Sequence, residues 1–545
     1  MLNNLLDFEI KKKHFKIFNY ISILTFAIIP LFTTFNYRIN IYLSWEGAYR
    51  MYLGQIPYED FGLPLGFGYW IIPSLFFKIF GPQFISLIKA QVFLNILSGF
   101  SFWQILKNFN VNAGVISIAI FAFCISFTFI NAWPWYNHTV IVYQLVGLAL
   151  ITATFTLSIG KIRSLVLLFS GAFFLLLSFF TKQDAGFLGL LIAFILIVVY
   201  SFHTKKWINL MVFCASLIVI SLITIFSLNP SFSYWFNYGQ APHNSRLSIL
   251  DILDEFFNAS LWIKFYIVAI GFIVLHAFHK RIKVPFPEIL FILFTLGILA
   301  EAAIFQVTSY VPEDNNIFFH SFSIAFILNY LIKNNAININ RIPFFSSILI
   351  FVCFFWSANY WKYAQRLTSS FRQETSDISV TGENVVNKNN YIKDNFRTGT
   401  VPTFLWEKSD LYTLKNIKMP VSTIQGIERL RNMPEMENPS TKKILNMSEL
   451  TFLAHDIGFE LETGAYYPLW YHLGVGMFNK QLAMFIEKIR SKEYDVVIYE
   501  YMPHLNNFYP LALRDTLKKE YELKDTFLAP RDPTNCNIEI YVKKK

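Results

Sequence analysis

Charge is what this chain has least of. Asp, Glu, Lys and Arg make up 15% of its 545 residues, whereas a soluble domain carries about 25%. That shortage excludes a water-solvated surface over the whole length. Cysteine is scarce too: Cys124, Cys214, Cys353 and Cys536 are all there is. Three sit inside apolar runs, and Cys536 is expected to be exposed with no disulfide partner. No C-x-x-C spacing occurs, so a thiolate zinc site has no basis. Solenoid periods and low-complexity stretches are also missing. No small-residue cleavage site follows the first apolar run, so Lys11, Lys12 and Lys13 with that run read as a signal anchor.

Apolar residues fill the gap. The chain is 54% hydrophobic and 18% aromatic, with 60 Phe. A helical span needs about twenty apolar residues, because backbone polar groups left unpaired in lipid are costly. About eleven runs meet that need: near 17–36, 83–106, 113–132, 139–158, 164–180, 185–202, 207–228, 262–278, 287–307, 316–332 and 343–360. The net charge of +10 does not point to nucleic acid, because the bases lie between the runs. With Lys11–Lys13 in the cytoplasm, alternation places Lys107, Lys161 with Arg163, Lys205 with Lys206, Lys280 to Lys283, and Lys333 with Arg341 on the same side. Every basic short loop then obeys the positive-inside rule, and the C-terminus lies outside.

The fold expected is a polytopic α-helical membrane protein of about eleven spans with a C-terminal soluble α/β domain. Its parts are a cytoplasmic N-terminus (1–16), a membrane domain (17–360) with an outer loop at 37–82, and an outer soluble domain (361–545). In the soluble part 401–406, 495–501 and 538–544 read as strands, and Phe478–Arg490 and Leu511–Tyr521 as helices. Residues 69–82 read as an interfacial helix with Lys78 snorkelling, and Ile249–Phe257 as a second amphipathic piece.

Polar chemistry gathers on the outer side. The stretch 44–68, SWEGAYRMYLGQIPYEDFGLPLGFG, concentrates Trp45, Glu46, Arg50, Tyr58, Glu59 and Asp60. It is either a solvated amphipathic loop or a site. A carboxyl hemmed by aromatics beside lipid has a raised pKa and can act as a base. Lys182, Gln183 and Asp184 are either an interfacial anchor with Asp184 as N-cap, or a cation for an anionic headgroup. WPWYNH, with Trp133, Trp135, Tyr136 and His138, fits the aromatic belt of any membrane protein. The same rings stack on sugars, and His138 can bond a hydroxyl or phosphate. Further along come Glu301 inside a span, then Glu313, Asp314, Asn315, Asn316 and His320. His243 and Arg246 lie in the 229–261 loop, where Arg246 is either a plain surface residue or a phosphate ligand. The sequons at Asn137, Asn258 and Asn446 matter only in a eukaryotic secretory pathway, and the Lys-, Asn-, Ile- and Phe-rich composition looks bacterial.

The 44–68 stretch resembles the first outer loop of GT-C glycosyltransferases, the group that includes protein O-mannosyltransferases and the aminoarabinose transferases acting on lipid A. Gly54, Pro57, Tyr58, Asp60, Phe61, Pro64 and Gly66 match a G-x-x-P-Y-x-D-F, then P-x-G pattern, and TKQDAG at 181–186 is similar to a K-Q-x-x-G phrase. The motifs cover about thirty residues; the architecture covers the chain. These families carry a catalytic Asp soon after the first span, and here no Asp stands between Asp7 and Asp60. Either Glu46 does that work, or Asp60 does, or activity is lost.

The resemblance implies an enzyme of a bacterial cytoplasmic (inner) membrane. It would move a sugar from a polyprenyl-phosphate donor to an acceptor hydroxyl on a glycolipid, polysaccharide or protein. Glu46 would be the base, with Lys182 and Arg246 on the donor phosphate. Asp60 would orient the loop or acceptor, and Trp133, Trp135 and Tyr136 would wall the sugar site. No redox or nucleotide cofactor is implied. Some members use a divalent metal, and no ligand set for one is evident. The rivals are a flippase of lipid-linked sugars, which predicts paired broken helices; an O-antigen ligase or polymerase, which predicts a large late outer loop; and an inactive scaffold of the same fold.

Overall fold

The computed structural model describes residues 9–37, 41–126, 129, 131–156, 160–228, 235, 249–258, 260–281, 284–309, 317–335, 338–368, 400–464, 467–469, 478–502, 510–532 and 534–544. The helices up to the C-terminal region are α1 (Lys12–Ile28), α2 (Ile41–Tyr52), α3 (Gly68–Phe80), α4 (Phe84–Asn108), α5 (Ala113–Phe123), α6 (Tyr136–Thr156), α7 (Lys161–Phe179), α8 (Gln183–Thr204), α9 (Trp207–Leu228), α10 (Ile249–Asn258), α11 (Leu261–His279), α12 (Phe286–Ser309), α13 (Ile317–Asn335), α14 (Ile342–Phe355) and α15 (Ser357–Thr368). Each of the eleven apolar runs carries a helix. Among the described residues, eight helices are long and apolar enough to cross a membrane, and this is a multi-pass membrane protein.

The chain divides into two compact units. The first takes in residues 1–31, 91–227 and 245–365. Inside it α6 is the inner helix, with Val140, Ile141, Tyr143, Leu145 and Leu148 buried. Glycines let its neighbour approach. A Cβ on Gly147 would lie 3.0 Å from the Gly171 carbonyl oxygen, and one on Gly171 would lie 2.6 Å from Ile151 Cγ1. In lipid, where apolar burial gives no drive, such close backbone packing holds helices together. Leu222, Ile223 and Phe226 on α9 and Phe272 and Leu275 on α11 are exposed. Rows of large apolar side chains facing outward suit lipid.

The second unit takes in residues 32–90, 228–244 and 366–545, so the segment between α1 and α4 and the C-terminal region belong to one unit. Strands β1 (Phe35–Asn36), β2 (Glu407–Lys408) and β3 (Ile417–Met419) form a small sheet, with β1 parallel and β2 antiparallel to the central β3. Strands β4 (Ile444–Met447), β5 (Val496–Tyr501), β6 (Tyr521–Leu528) and β7 (Asn537–Lys543) form a second sheet in the order β4-β5-β7-β6. Here β4 and β5 are parallel and the other pairs antiparallel. Helices α16 (Val421–Arg431), α17 (Phe478–Arg490) and α18 (Leu511–Glu520) accompany the sheet. Burial of Val496–Tyr499, Ile540, Leu517 and Phe485 makes the core.

Three expectations are corrected. Residues 401–406 are not a strand: Thr403–Leu405 is a 3₁₀ turn, closed by the Trp406 N–H on the Thr403 carbonyl at 3.1 Å. Pro402, lacking an N–H, starts the turn. Cys536 is buried, 1% exposed, just ahead of β7. Asp184 is not an N-cap: Lys182 holds that position and Asp184 sits in the first turn of α8, where its charge suits the helix dipole.

Candidate active site

The 44–68 stretch opens as a helix rather than a loop. Glu46 and Arg50 lie four residues apart on α2, so their side chains meet on one face. Both are buried, at 3% and 0% exposure. Arg50 Nε donates to Glu46 Oε1 at 2.8 Å, and Nη2 lies 2.8 Å from the same oxygen. Arg50 Nη1 donates to Gln55 Oε1 at 2.9 Å and to the Glu462 carbonyl at 3.0 Å. Its guanidinium sits over the rings of Tyr467 (4.7 Å) and Phe61 (5.4 Å). Burial pushes the Glu46 carboxyl above the usual carboxylate range, and the Arg50 charge and hydrogen bond pull it part of the way back.

The other groups of α2 hold it in place. A Cβ on Gly47 would fall 2.0 Å from Trp70 Cε2, so only glycine admits α3. Trp70 Nε1 donates to the Leu43 carbonyl at 2.8 Å. Trp45 donates to the Pro82 carbonyl at 3.0 Å and stacks on Tyr49 with centroids 4.5 Å apart.

The matched motif shapes the chain beyond α2. Gly54 has φ +88° and Tyr58 φ +68°, the left-handed region that favours glycine. Tyr58 is buried, its hydroxyl donating to the Leu65 carbonyl. Asp60 Oδ2 accepts the Ile56 N–H at 2.7 Å, closing the turn, while Glu59 is exposed. Backbone bonds then tie this loop to the C-terminal region: Gly464 N–H to the Asp60 carbonyl (2.8 Å), Gly62 N–H to Tyr467 (2.8 Å) and Leu469 N–H to Gly62 (2.9 Å).

A narrow cleft lies against Glu46. Tyr42 and Glu46 line one part, Asn446, Ser448 and Thr451 another, with Tyr467 beside them, and its cavity volume is about 20 Å³, room for one water. The segment 446–451 is fixed from behind. Arg531 Nη2 pairs with Glu449 Oε1 at 2.6 Å and its Nε donates to Glu500. The Glu449 N–H donates to Glu500 Oε2 at 2.8 Å, and the Tyr37 hydroxyl donates to the Glu449 carbonyl. Sequence reasoning missed this wall entirely. Its residues lie some four hundred positions from Glu46, and Asn446 stood out only as a sequon.

The remaining described candidates belong to the first unit. Lys182, buried, pairs with Asp184 at 2.8 Å and lies 5.0 Å from the Phe305 ring centroid. Gln144 Nε2 donates to Glu301 Oε2 at 2.6 Å, with both side chains buried. Trp133 is buried, the Trp135 and Tyr136 rings are 4.5 Å apart, and His138 lies in the first turn of α6. His320 Nδ1 is 3.1 Å from the Tyr266 hydroxyl, with Trp262 at 5.7 Å, a setting of packed aromatics. Arg246, His243 and Glu313 to Asn316 lie outside the described residues. Among the described residues, no three His, Cys, Asp or Glu side chains group as a metal site.

In overall structure the chain is similar to ArnT from Cupriavidus metallidurans. Against the apo state the TM-score is 0.52 at 10% identity, covering 97% of this chain and 98% of that one. Against ArnT bound to undecaprenyl phosphate it is 0.52 at 10% identity, covering 96% and 97%. An oligosaccharyltransferase from Archaeoglobus fulgidus, in complex with Zn and sulfate, aligns with a TM-score of 0.44 at 11% identity over 88% of this chain and 68% of that one. No protein-family model matches the sequence, and no curated protein matches it.

Proposed function

We propose that this chain, which has the fold of the GT-C membrane glycosyltransferases, transfers a sugar from a polyprenyl-phosphate donor to an acceptor hydroxyl outside the cytoplasmic membrane. The observation that carries the reading is Glu46. It is a buried carboxylate at the edge of a water-sized cleft, on the first outer loop of this fold. Its raised pKa suits a general base, which works best when its pKa approaches the ambient pH. Glu46 takes the proton of the acceptor hydroxyl as that oxygen attacks the anomeric carbon. The carbon–oxygen bond to the polyprenyl phosphate breaks, and the phosphate leaves with the electron pair. ArnT, the structural neighbour, binds undecaprenyl phosphate, which supports a lipid-phosphate donor.

Lys182 is assigned the donor phosphate, since a cation offsets charge developing on a leaving group; Arg246 has the same assignment from its residue type alone. Arg50 is a positioning residue: Nε holds Glu46, Nη1 holds Gln55 and the Glu462 carbonyl, and the guanidinium packs against the Phe61 and Tyr467 rings. Asp60 shapes the loop through Ile56. The aromatic groups of Trp133, Trp135 and Tyr136 remain candidates for stacking on a sugar.

The test is mass spectrometry of surface glycans and glycolipids from cells lacking the protein. Those cells are complemented with wild type, Glu46→Gln or Asp60→Asn at matched expression. One sugar should disappear on deletion, return with wild type and stay absent with Glu46→Gln. Full complementation by Glu46→Gln would refute the assignment of the base. An undecorated lipid-linked sugar accumulating on the cytoplasmic leaflet would point to a flippase instead.

A further inference from the structure

The wall of the cleft facing Glu46 comes from the C-terminal region, and its polar groups are unequally occupied. Asn446 Oδ1 accepts the Ser448 N–H at 3.1 Å and the Ser448 hydroxyl at 2.6 Å. Asn446 Nδ2 donates to the Leu450 carbonyl at 3.0 Å, and Ser448 Oγ accepts the Leu450 N–H at 3.2 Å. These two side chains are committed to closing the turn after β4. Thr451 follows on the same turn. Its side chain is buried, 6% exposed, and its Oγ1 has no hydrogen-bond partner among the described residues, yet it lines the same cleft as Glu46. A buried hydroxyl left unpaired costs about 1–3 kcal/mol, and one that lines a cleft regains that cost when a group entering the cleft bonds it.

We propose that Thr451 binds the acceptor hydroxyl and so makes the C-terminal region part of the acceptor site; this rests on the transferase reading of Glu46. The chemistry selects the ligand. A carboxylate only accepts hydrogen bonds, whereas a threonine hydroxyl donates and accepts. An alcohol oxygen serves both, giving its proton to Glu46 while accepting the Thr451 O–H. A phosphate or carboxylate oxygen has no proton for Glu46 and is repelled by it. The wall is preorganised, because Glu449, two residues before Thr451, is gripped by Arg531.

The experiment uses purified full-length protein and washed membranes of the deletion strain, which supply both donor and acceptor. Transfer rate is read by mass spectrometry of the decorated product as the membrane concentration rises. Thr451→Val, nearly the same shape without the hydroxyl, should raise the half-saturating membrane concentration about tenfold, with the plateau rate within about twofold of wild type. Thr451→Ser should restore the wild-type value. Both variants are checked for wild-type thermal unfolding. If Thr451→Val saturates like wild type while Glu46→Gln is inactive, the Thr451 assignment is wrong and the transferase reading survives. If Val and Ser variants are equally impaired, the residue acts by packing and the proposal fails. If wild type transfers nothing, both readings fall.

Discussion

Replacing Arg50 with Met separates the two parts of the active-site argument. Arg50 is fully buried and holds Glu46 through Nε and Nη2, both 2.8 Å from Oε1. Methionine fills much of the space but leaves a buried carboxylate without its countercharge, and leaves Gln55 Oε1 and the Glu462 carbonyl without a donor. Breaking a buried pair by removing one partner costs about 3–5 kcal/mol. Thermal unfolding of the purified protein should therefore occur well below wild type. Glu46→Gln/Arg50→Met together should recover the part of that loss due to the uncompensated charge, while Gln55 Oε1 and the Glu462 carbonyl stay without a donor. Catalysis gives an independent readout. Arg50 lowers the Glu46 pKa against the burial that raises it. Without Arg50 the carboxyl moves further up, and the base form is reached only at higher pH, so the ascending limb of the rate–pH profile moves to the alkaline side. Stability follows the same sign. A carboxyl whose folded pKa exceeds its unfolded value, about 4.3, stabilises fully below that value. The contribution is lost as pH rises through the folded pKa. Arg50→Met should steepen that loss, and Glu46→Gln should flatten it. A double variant as unstable as Arg50→Met alone would refute the coupling. An unmoved rate–pH limb would refute Glu46 as the base.

Two further substitutions probe the scaffold. Gly47→Ala puts a methyl 2.0 Å from the Trp70 indole, an overlap neither helix can relieve without moving. Overpacking of this kind costs about 1–3 kcal/mol, visible as lower yield and earlier thermal unfolding, whereas Gly54→Ala, with open space around it, should cost only its backbone strain. Arg531→Met leaves Glu449 and Glu500 buried together without a cation. A loss on the order of 3–5 kcal/mol should make the C-terminal region sensitive to protease, and wild-type resistance would remove the network from the account.

The membrane helices were legible because their cause is local: an apolar run long enough to satisfy its own backbone in lipid declares itself in sequence. Strand β5 was legible for a similar reason, since five of the six residues of VVIYEY are β-branched or aromatic. Strand β6, YELKDTFL, was not, because three of its eight residues are charged and the stretch between Tyr521 and Phe527 is mostly exposed. Its strand state is imposed by pairing with β7, a contact no local pattern encodes. The candidate site split the same way. Glu46 and Arg50 were found because they share one short polar stretch, but their pairing appeared only once that stretch became a helix. Thr451 and Arg531 gave no signal, since ordinary polar residues acquire meaning only when long-range folding buries them.

The G-x-x-P-Y-x-D-F resemblance and the chemistry of the loop are separable. In this structure Gly54 and Tyr58 take left-handed backbone conformations, Asp60 closes a turn on Ile56, and Phe61 lies under the Arg50 guanidinium. These four matched residues have structural roles, so the motif argues for the fold and would serve an inactive scaffold equally well. The Glu46–Arg50 pair is different. A buried ion pair is often no more stabilising than apolar residues of similar volume. A scaffold needing only stability gains little from holding a carboxylate at 3% exposure beside a cleft. Under the proposed function the pair supplies a proton acceptor, with one oxygen engaged by Arg50 and the side chain lining the cleft. On that proposal the missing Asp of this loop does not require an inert protein, because Glu46, four residues ahead of Arg50, offers an alternative base.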